Sequence, residues 1–335
     1  MGRAEPVRWG LLSTARINRR IEEAIAASPL CEVLAVASRD GGRASEYARS
    51  HGIPRAHAGY EALLADPDIE AVYVSLPNGL HPEWALRALQ AGKHVLCEKP
   101  LSARAGEAAS LFDAAERAGR LLSEGFMYRH HPQTRRLAEL VRGGAIGSPR
   151  LIRASFSFPL GDPHDVRLSA TLQGGALLDV GCYCVDAARL IAGEPVRVSG
   201  WRAIGGDGVD VRFAGTLEHL DGVIAQFDAG IRLAPRQGLE IVGDEASLHV
   251  PDPWLCNEPG IELRRGGRAE VIPVPGADPY LLEVEDIATA IRGGLSPLLG
   301  RTEAVSQART IEALREAAET GTPVRIQPAA PPAMI

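Results

Sequence analysis

The sequence of 335 residues lacks the features that mark several classes of protein. No window contains the roughly 18 or more uninterrupted apolar residues that a membrane-spanning helix needs, and the first ten residues do not read as a charged and then apolar leader. The net charge of −6 gives no basic excess of the kind that nucleic-acid binding requires. We therefore expect a cytoplasmic protein with neither a nucleic acid nor a membrane as its partner.

Cysteine is scarce and scattered. The five cysteines are odd in number and form no CxxC pair, so neither a disulfide framework nor a zinc site is readable. Cys182 and Cys184 are one residue apart, and two small apolar side chains explain this pair better than a metal or redox motif. We expect no metal site.

Lysine is nearly absent. Of 36 basic residues only Lys93 and Lys99 are lysine, and both lie in the run KHVLCEK. Chance retention is the better interpretation of Lys93. Lys99 instead ends an apolar run just before Pro100, and a partly buried lysine, unlike arginine, can shift its pKa and take part in proton transfer. This placement predicts a functional Lys99.

Length and composition predict two globular domains. A hydrophobic fraction of 45% with 23% charged residues is typical of a folded chain, and the length suits two cores better than one. We expect a dinucleotide-binding domain over 1–125, a substrate-binding and oligomerisation domain over 126–328, and a tail over 329–335.

The first half alternates strand-like and helical patterns. Continuous apolar runs of strand length are separated by segments with apolar residues at helical spacing. This order predicts an α/β Rossmann domain with a doubly wound parallel sheet, in which ligands lie beyond the carboxyl ends of the strands. The predicted strands are 7–13, 32–38, 69–77, 94–100 and 121–126, and the helices are 15–28, 42–52, 81–92 and 103–119.

The turn after the first strand lacks the usual phosphate-binding glycines. The G-x-G-x-x-G pattern places its glycines at Ser13, Ala15 and Asn18, so the fingerprint is absent at all three positions. Small residues can still let backbone N–H groups face a pyrophosphate, Ser13 and Thr14 add hydroxyl donors, and Arg16 adds charge. An ordinary strand-to-helix turn is the alternative.

The end of the second predicted strand bears on the choice of cofactor. An acidic residue at Ser38 would suit the ribose of NAD, but the strand ends there in serine, followed by Arg39. Asp40 comes two residues late and is expected to begin the next helix. Arg39 and Arg43 therefore favour NADP(H), with a solvated arginine as the alternative.

The second half predicts an α+β domain. Alternating runs between 150 and 275 predict a large, open and mostly antiparallel sheet, which is a natural surface for a homodimer or homotetramer. Within it, 174–195 has helical spacing and carries Asp179, Tyr183 and Asp186 in one polar stripe. This stripe has two interpretations. The three side chains are buried polar groups that are hydrogen-bonded locally, or they form an acid/base face in which Asp179 polarises a proton donor at Tyr183.

Four short motifs follow one another along the chain: P-N-x-x-H at 77–81, E-K-P at 98–100, EGFMYRHHPQ at 124–133 and D-x-G-x-Y at 179–183. In this order they resemble the glucose-fructose oxidoreductase / inositol dehydrogenase (Gfo/Idh/MocA) family. The resemblance runs to about residue 325. It is nearest to NADP-dependent aldose (xylose or glucose) dehydrogenases and dimeric dihydrodiol dehydrogenases, which carry tyrosine rather than histidine at the position of Tyr183.

The resemblance implies roles for individual residues. Lys99 would hold the reacting hydroxyl and share its proton, Tyr183 would be the general acid/base, and Asp179 would orient the substrate or tune Lys99. Arg129, His130 and Arg167 would contact the substrate, with a hinge role equally open for the first two, and His81 would pack near the cofactor. The predicted cofactor-binding residues are Ser13, Thr14, Ala15, Arg16, Ile17, Ser38, Arg39, Arg43, Leu76, Pro77, Asn78, His81, Glu98 and Lys99.

The function implied is that of an NADP(H)-preferring dehydrogenase or reductase acting on CH–OH groups. It would transfer a hydride between the nicotinamide and a sugar or polyol, without a metal, and NAD(H) is the alternative cofactor. A trans-dihydrodiol dehydrogenase or ketosugar reductase is a second hypothesis with the same chemistry. A non-catalytic NADP-sensing regulator is a third, and it would not need to keep Lys99, Asp179 and Tyr183 together.

Overall fold

The computed structural model of the protein describes residues 5–327 and divides them into two compact units. One unit contains the described chain up to Ser102 together with Gly106–His130 and Ala277–Val305. The other contains Ala103–Ala105, His131–Gly276 and the described chain from Ser306 onward. The expected tail, 329–335, lies outside the described residues. The first unit is discontinuous, since 277–305, expected in the second domain, clusters with it.

The first unit is built on a six-stranded sheet in which every strand pair is parallel. The strand order β3-β2-β1-β4-β5-β6 is the Rossmann order and confirms the predicted doubly wound fold. The strands are β1 (Val7–Leu11), β2 (Cys31–Ser38), β3 (Arg55–Ala58), β4 (Ala71–Val74), β5 (His94–Glu98) and β6 (Leu122–Gly125). The helices are α1 (Asn18–Ala27), α2 (Gly41–His51), α3 (Tyr60–Leu64), α4 (His81–Gln90) and α5 (Ala105–Ala118).

Two of these elements were not predicted. β3 has the sequence RAHA, half-buried and exposed residues alternate along it, and it forms the edge of the sheet. It therefore lacks the continuous apolar run by which the buried parallel strands are recognised. α3 is only five residues long, which is too short to show a helical period.

Helix α8 (Pro279–Gly293) completes the core of the first unit. Val284, Ile287 and Ala288 are almost fully buried against a cluster that includes Trp9 of β1 and Ile21 of α1. No helix was predicted for this stretch, which was expected in the second domain. Its apolar residues pack against elements that lie more than 250 positions earlier in the chain, so no local pattern identifies their partner.

The second unit is built on a nine-stranded, mostly antiparallel sheet, as predicted. One internal pair, β7 with β10, is parallel. The strands are β7 (Pro149–Pro159), β8 (Pro195–Ile204), β9 (Asp210–His219), β10 (Ile224–Gly230), β11 (Arg232–Gly243), β12 (Ser247–Val250), β13 (Ile261–Arg265), β14 (Arg268–Ile272) and β15 (Val324–Arg325). Its helices are α6 (Pro132–Arg142), α7 (Cys182–Ala192) and α9 (Arg301–Thr320), the last of which begins in the first unit.

One face of this sheet is packed tightly against α9. A Cβ added at Gly200 would lie 2.8 Å from the carbonyl oxygen of Leu314, and one added at Gly215 would lie 3.1 Å from its side chain. Glycine therefore permits the helix to approach β8 and β9 closely. The other face presents Ser199, Thr216 and Gln226, which are partners across the strands.

No helix in the described part of the chain is both long and apolar enough to span a membrane.

A buried carboxyl group on α8 lies in the core of the first unit. Glu283 is 2% exposed, and its Oε1 has no hydrogen-bond partner among residues 5–327. Burial raises the pKa of Glu283 far above its ordinary value, and the nearby charges of Glu98 and Asp286 raise it further. The protonated acid is therefore the form that this position favours.

We predict that Glu283→Gln, which keeps the shape of the acid, makes the free energy of unfolding less dependent on pH. A raised folded-state pKa gives stability that is complete below the unfolded pKa and is lost as pH rises toward the folded value. In that window the wild type should lose about 1.4 kcal/mol per pH unit from this group. The stability advantage of the variant should grow from pH 5 to pH 8 in urea titrations, and a constant difference would contradict the prediction.

Candidate functional site

The turn after β1 is held by a buried network of hydroxyl and amide groups. Ser13 Oγ lies 2.7 Å from Ser75 Oγ and accepts a hydrogen bond from the backbone N–H of Ala15 at 3.0 Å. Asn18 donates to the carbonyl oxygen of Ser13 at 2.7 Å and accepts from the Ser75 hydroxyl at 2.6 Å. Ser13, Ser75 and Asn18 are all buried. The side chains of this network therefore fix a turn that carries no glycine.

This network gives Ser13 a structural role, and its cofactor contact stays a prediction. Its hydroxyl is engaged in holding the turn, whereas Thr14 and Ala15 are half-buried and Arg16 is exposed. No side chain caps the start of α1, which follows directly. Ser75 was not predicted, because a serine after a buried strand carries no motif of its own. Asn18, noted in the sequence only as a missing glycine, joins Ser13 in connecting the turn to Ser75, directly after β4.

The carboxyl end of β2 presents two arginines. Asp40 caps α2, as predicted, by accepting hydrogen bonds from the N–H groups of Gly42 at 2.8 Å and Arg43 at 3.1 Å. Arg39 and Arg43 are exposed, and their charges oppose the rise that burial causes in the pKa of Tyr60. The Asp40 carboxylate therefore serves to cap α2. The positive charge at the end of β2 comes from the guanidinium groups of Arg39 and Arg43.

The two lysines have different surroundings. Lys93 is 6% exposed and its ammonium group donates to the carbonyl oxygens of Asp66 at 2.6 Å and Ile69 at 2.8 Å. This geometry makes Lys93 a structural residue of the loop before β4. Lys99 is half-buried and directly follows β5, at the carboxyl edge of the sheet. The Lys99–Pro100 peptide bond is cis.

The backbone around Lys99 is held on both sides. Glu98 pairs with Gly125 in the sheet, and its carboxylate accepts a hydrogen bond from the buried hydroxyl of Tyr73. Burial and the Glu98 charge raise the pKa of Tyr73, so this hydroxyl stays a donor. On the other side, Glu124 of β6 accepts from the backbone N–H of Leu101 at 2.8 Å. Glu124 was not among the predicted site residues, although it is the first residue of the motif EGFMYRHHPQ.

His81 does not reach out from the strand end. It is 1% exposed, with one ring nitrogen 2.6 Å from the carbonyl oxygen of Leu76 and the other 2.8 Å from that of Pro100. Burial lowers the pKa of His81 below its ordinary value, and the two carbonyl contacts offset this only in part. Both ring nitrogens lie within hydrogen-bond distance of backbone carbonyl oxygens.

In the second unit, Asp179 is paired with a predicted substrate residue. Arg167 Nε donates to Asp179 Oδ2 at 2.8 Å, and Arg167 Nη1 lies 3.2 Å from Asp165 Oδ2. Both carboxylates are largely buried, and the Asp179 charge is the main cause of the raised pKa of Arg167. The structure therefore brings Arg167 and Asp179 together as an ionised pair.

The helix that carries Asp179 and Tyr183 begins in an unusual way. Its first turn, Leu177–Gly181, is π-helical and continues directly into α7. Asp210 of β9 accepts from the N–H of Leu177 at 2.7 Å, and burial raises the pKa of Asp210 to about 6. Wider helical turns of this type occur often at functional sites. Asp210 was not predicted, because it lies on a strand far from the motif.

Tyr183 is set in an aromatic cluster. Its ring centroid lies 5.5 Å from Phe156 of β7 in an edge-on arrangement and 6.0 Å from Trp254. Trp254 is fixed by its own donation to the carbonyl oxygen of Ser155 at 2.9 Å. Aromatic packing of this kind restricts the orientation of the phenol ring. Neither Phe156 nor Trp254 was predicted from the sequence.

The third member of the polar stripe has a structural role. Asp186 is 2% exposed and faces Arg189, which also forms two short hydrogen bonds with Glu194 and one with Gln307. For Asp186, satisfaction of a buried group is therefore the better interpretation.

Two predicted substrate residues, Arg129 and His130, lie in the first unit. They belong to a short 3₁₀ turn, Met127–His130, that packs against α8. His130 is buried and Arg129 is half-buried. Their substrate contacts stay a prediction.

The first unit has the features that a dinucleotide needs. Small residues occupy the β1 turn, the following helix start has no side-chain cap, and arginines flank the end of β2. These residues fit the pyrophosphate and the phosphorylated ribose of such a cofactor. No group of three or more histidine, cysteine, aspartate or glutamate side chains suited to a metal ion occurs within residues 5–327.

Comparison with known families gives two matches. Residues 7–126 match an oxidoreductase family with an NAD-binding Rossmann fold, and residues 134–249 match the GFO/IDH/MocA C-terminal domain. The chain is 42% identical to the D-xylose 1-dehydrogenase (NADP(+)) 2 of Haloferax volcanii, over 95% of this chain and 99% of that protein.

Two further relatives extend the comparison. The mouse (Mus musculus) trans-1,2-dihydrobenzene-1,2-diol dehydrogenase is 32% identical, over 93% of this chain and 96% of its own. A 3-ketoreductase from Actinomadura kijaniata, solved with NADP and TDP-benzene, superposes with a TM-score of 0.89 at 36% identity, over 93% and 98% of the two chains. The chain therefore belongs to the Gfo/Idh/MocA family of oxidoreductases, as its motifs predicted.

Proposed function

We propose that the protein is an NADP(H)-preferring dehydrogenase or reductase that acts on a CH–OH group of a sugar or sugar-derived substrate. The observation that carries the choice of cofactor is the position of Asp40. Its carboxylate is used to cap α2, and Arg39 and Arg43 supply the charge at the strand end. A ribose phosphate suits this edge, whereas the ribose hydroxyl of NAD is usually held by a carboxylate, which is absent at Ser38.

The reaction we propose needs one proton donor or acceptor and one group that holds the reacting oxygen. A bound nicotinamide would accept or donate the hydride. Lys99 binds the substrate oxygen through its ammonium group, and Tyr183 donates or accepts the proton as general acid/base. Asp179, held by Arg167, is a fixed negative charge that orients the substrate. Arg129 and His130 add further substrate contacts.

The relatives support this proposal through what they are known to act on. The named relatives include a xylose dehydrogenase that uses NADP, a sugar ketoreductase and a diol dehydrogenase. Structures of the ketoreductase include variants of a single lysine and of a single tyrosine. A sugar ketoreductase or a trans-dihydrodiol dehydrogenase is the second candidate, since the same side chains suit either substrate.

Arg39→Ala is expected to raise the KM for NADP about 10-fold to 100-fold while leaving the KM for NAD nearly unchanged. A charge-assisted hydrogen bond to a phosphate contributes about 1.5–3 kcal/mol, and NAD lacks that phosphate. Initial rates with each cofactor at saturating sugar measure the effect. Arg49→Ala, on the last turn of α2, is the control and should change neither KM. Equal losses with both cofactors would contradict the assignment.

Lys99→Met and Tyr183→Phe are each expected to lower kcat by about 100-fold to 10,000-fold, which is the usual effect of removing an acid/base group. Reduced-nicotinamide absorbance is followed with aldoses, ketosugars and trans-diols. Lys93→Met is the matched control, because it removes the other lysine and should lower the melting temperature without a comparable loss of kcat. Full turnover by Lys99→Met would overturn the mechanism. NADP binding without turnover of any substrate in the panel would instead favour a regulator.

We further propose that the protein is a homodimer or homotetramer formed through the face of the nine-stranded sheet that bears Ser199, Thr216 and Gln226. Trp201, two residues from Ser199 on β8, shares this face and is 63% exposed. Light scattering should give at least twice the monomer mass of 35.6 kDa, and Trp201→Glu should shift it toward the monomer. Leu220→Glu, in the β9–β10 turn, is the control and should leave the mass unchanged. A monomeric wild type would refute the proposal.

A further inference from the structure

His81 joins two neighbouring strand ends in the first unit. Leu76 follows β4 and Pro100 follows β5, and these two strands are paired in parallel from Ala71 with His94 to Val74 with Cys97. Beyond that register the backbone ladder ends. The imidazole ring takes its place, with ring nitrogens 2.6 Å from the Leu76 carbonyl oxygen and 2.8 Å from that of Pro100.

The Pro100 contact lies next to Lys99. The chain before the lysine is fixed by the pairing of Glu98 with Gly125, and the chain after it is fixed by Glu124 at the N–H of Leu101. Pro100 has no N–H of its own, so its carbonyl oxygen is the group through which a neighbour can hold it by a hydrogen bond. His81 supplies that neighbour from the first turn of α4.

A carbonyl oxygen only accepts hydrogen bonds and a neutral imidazole carries one N–H, so the ring donates to one of the two carbonyl oxygens while its other nitrogen lies against the second. A ring that is 1% exposed with both nitrogens facing the backbone is unsuited to proton exchange with a substrate. The arrangement is that of a clamp between two loops.

We propose that His81 is a positioning residue that sets the place of the Lys99 ammonium group by clamping Pro100 to the loop after β4. This inference rests on the proposed function, in which Lys99 acts on the substrate oxygen. Displacement of a reacting group by about 1 Å can lower the rate about 100-fold, so loss of the clamp should slow the chemical step.

The test uses His81→Phe, which fills the ring volume without a donor, and His81→Asn, which keeps one amide donor. We expect His81→Phe to lower kcat about 10-fold to 100-fold and to raise the deuterium isotope effect on hydride transfer. His81→Asn should recover part of kcat. The dissociation constant of NADP, measured by fluorescence without substrate, should change by less than about 3-fold, because the proposed role of His81 is to position Lys99 for the chemical step. An NADP affinity that falls while kcat is kept would make His81 a cofactor contact and overturn the proposal.

His94 offers a matched control at the opposite end of β5. It is half-buried, and its Nδ1 accepts a hydrogen bond from the N–H of Leu121 at 3.0 Å. His94→Phe removes a histidine contact with the backbone from the same strand but far along it from Lys99. It should lower the melting temperature and leave kcat within about 3-fold of the wild type. A loss of kcat equal to that of His81→Phe would show that any weakening of β5 suffices, and would refute a specific role.

A double-mutant cycle with Lys99→Met gives the decisive measurement. If His81 acts through Lys99, His81→Phe should change the residual kcat of Lys99→Met less than about 3-fold, although it costs the wild type far more. Additive losses would show an independent role and overturn the inference. Should His81→Phe fail to fold, His81→Asn is carried through the same cycle. The single variant Lys99→Met tests the proposed function on its own. Full turnover by this variant, with His81 intact, would refute that function.

Discussion

Polar groups buried at the carboxyl edge of the six-stranded sheet have to be satisfied by side chains, because the strands have ended and the backbone ladder no longer supplies partners. Each of these side chains connects one loop to the next, so the loops of the edge form one hydrogen-bonded scaffold. The first turn and the segment around Lys99 both depend on it. Its connections are Ser13 with Ser75 and Asn18, His81 with Leu76 and Pro100, and Glu124 with Leu101.

The parts of the fold that could be predicted are those with a local pattern. Strands buried on both sides read as continuous apolar runs, and α1, α2, α4 and α5 show helical spacing, so the doubly wound sheet follows from the sequence. β3 is a half-exposed edge strand without such a run, and it was missed. α8 is amphipathic, but its partners Trp9 and Ile21 are far away in the chain, so its membership of the first unit emerges only from packing.

The candidate site divides in the same way. Lys99, Arg39, Asp179 and Tyr183 could be identified because they follow strands or lie on one helical stripe, and because their chemistry is uncommon at such places. Their supporting residues are ordinary polar or aromatic side chains, whose roles come from long-range contacts. Asp210 holds the start of the helix of Asp179, and Phe156 and Trp254 surround Tyr183. Only the three-dimensional arrangement separates these residues from others of the same types.

The discontinuity of the first unit has a consequence for how the protein is synthesised. Helix α8, which closes the core around Trp9, comes after all but the last strand of the nine-stranded sheet. The ribosome must therefore translate the strands from β7 to β14 before the dinucleotide unit can be completed. Domains commonly fold in the order in which they emerge. Here the apolar strands that are made first remain without one of their packing partners until a helix more than 250 positions later in the chain has been translated.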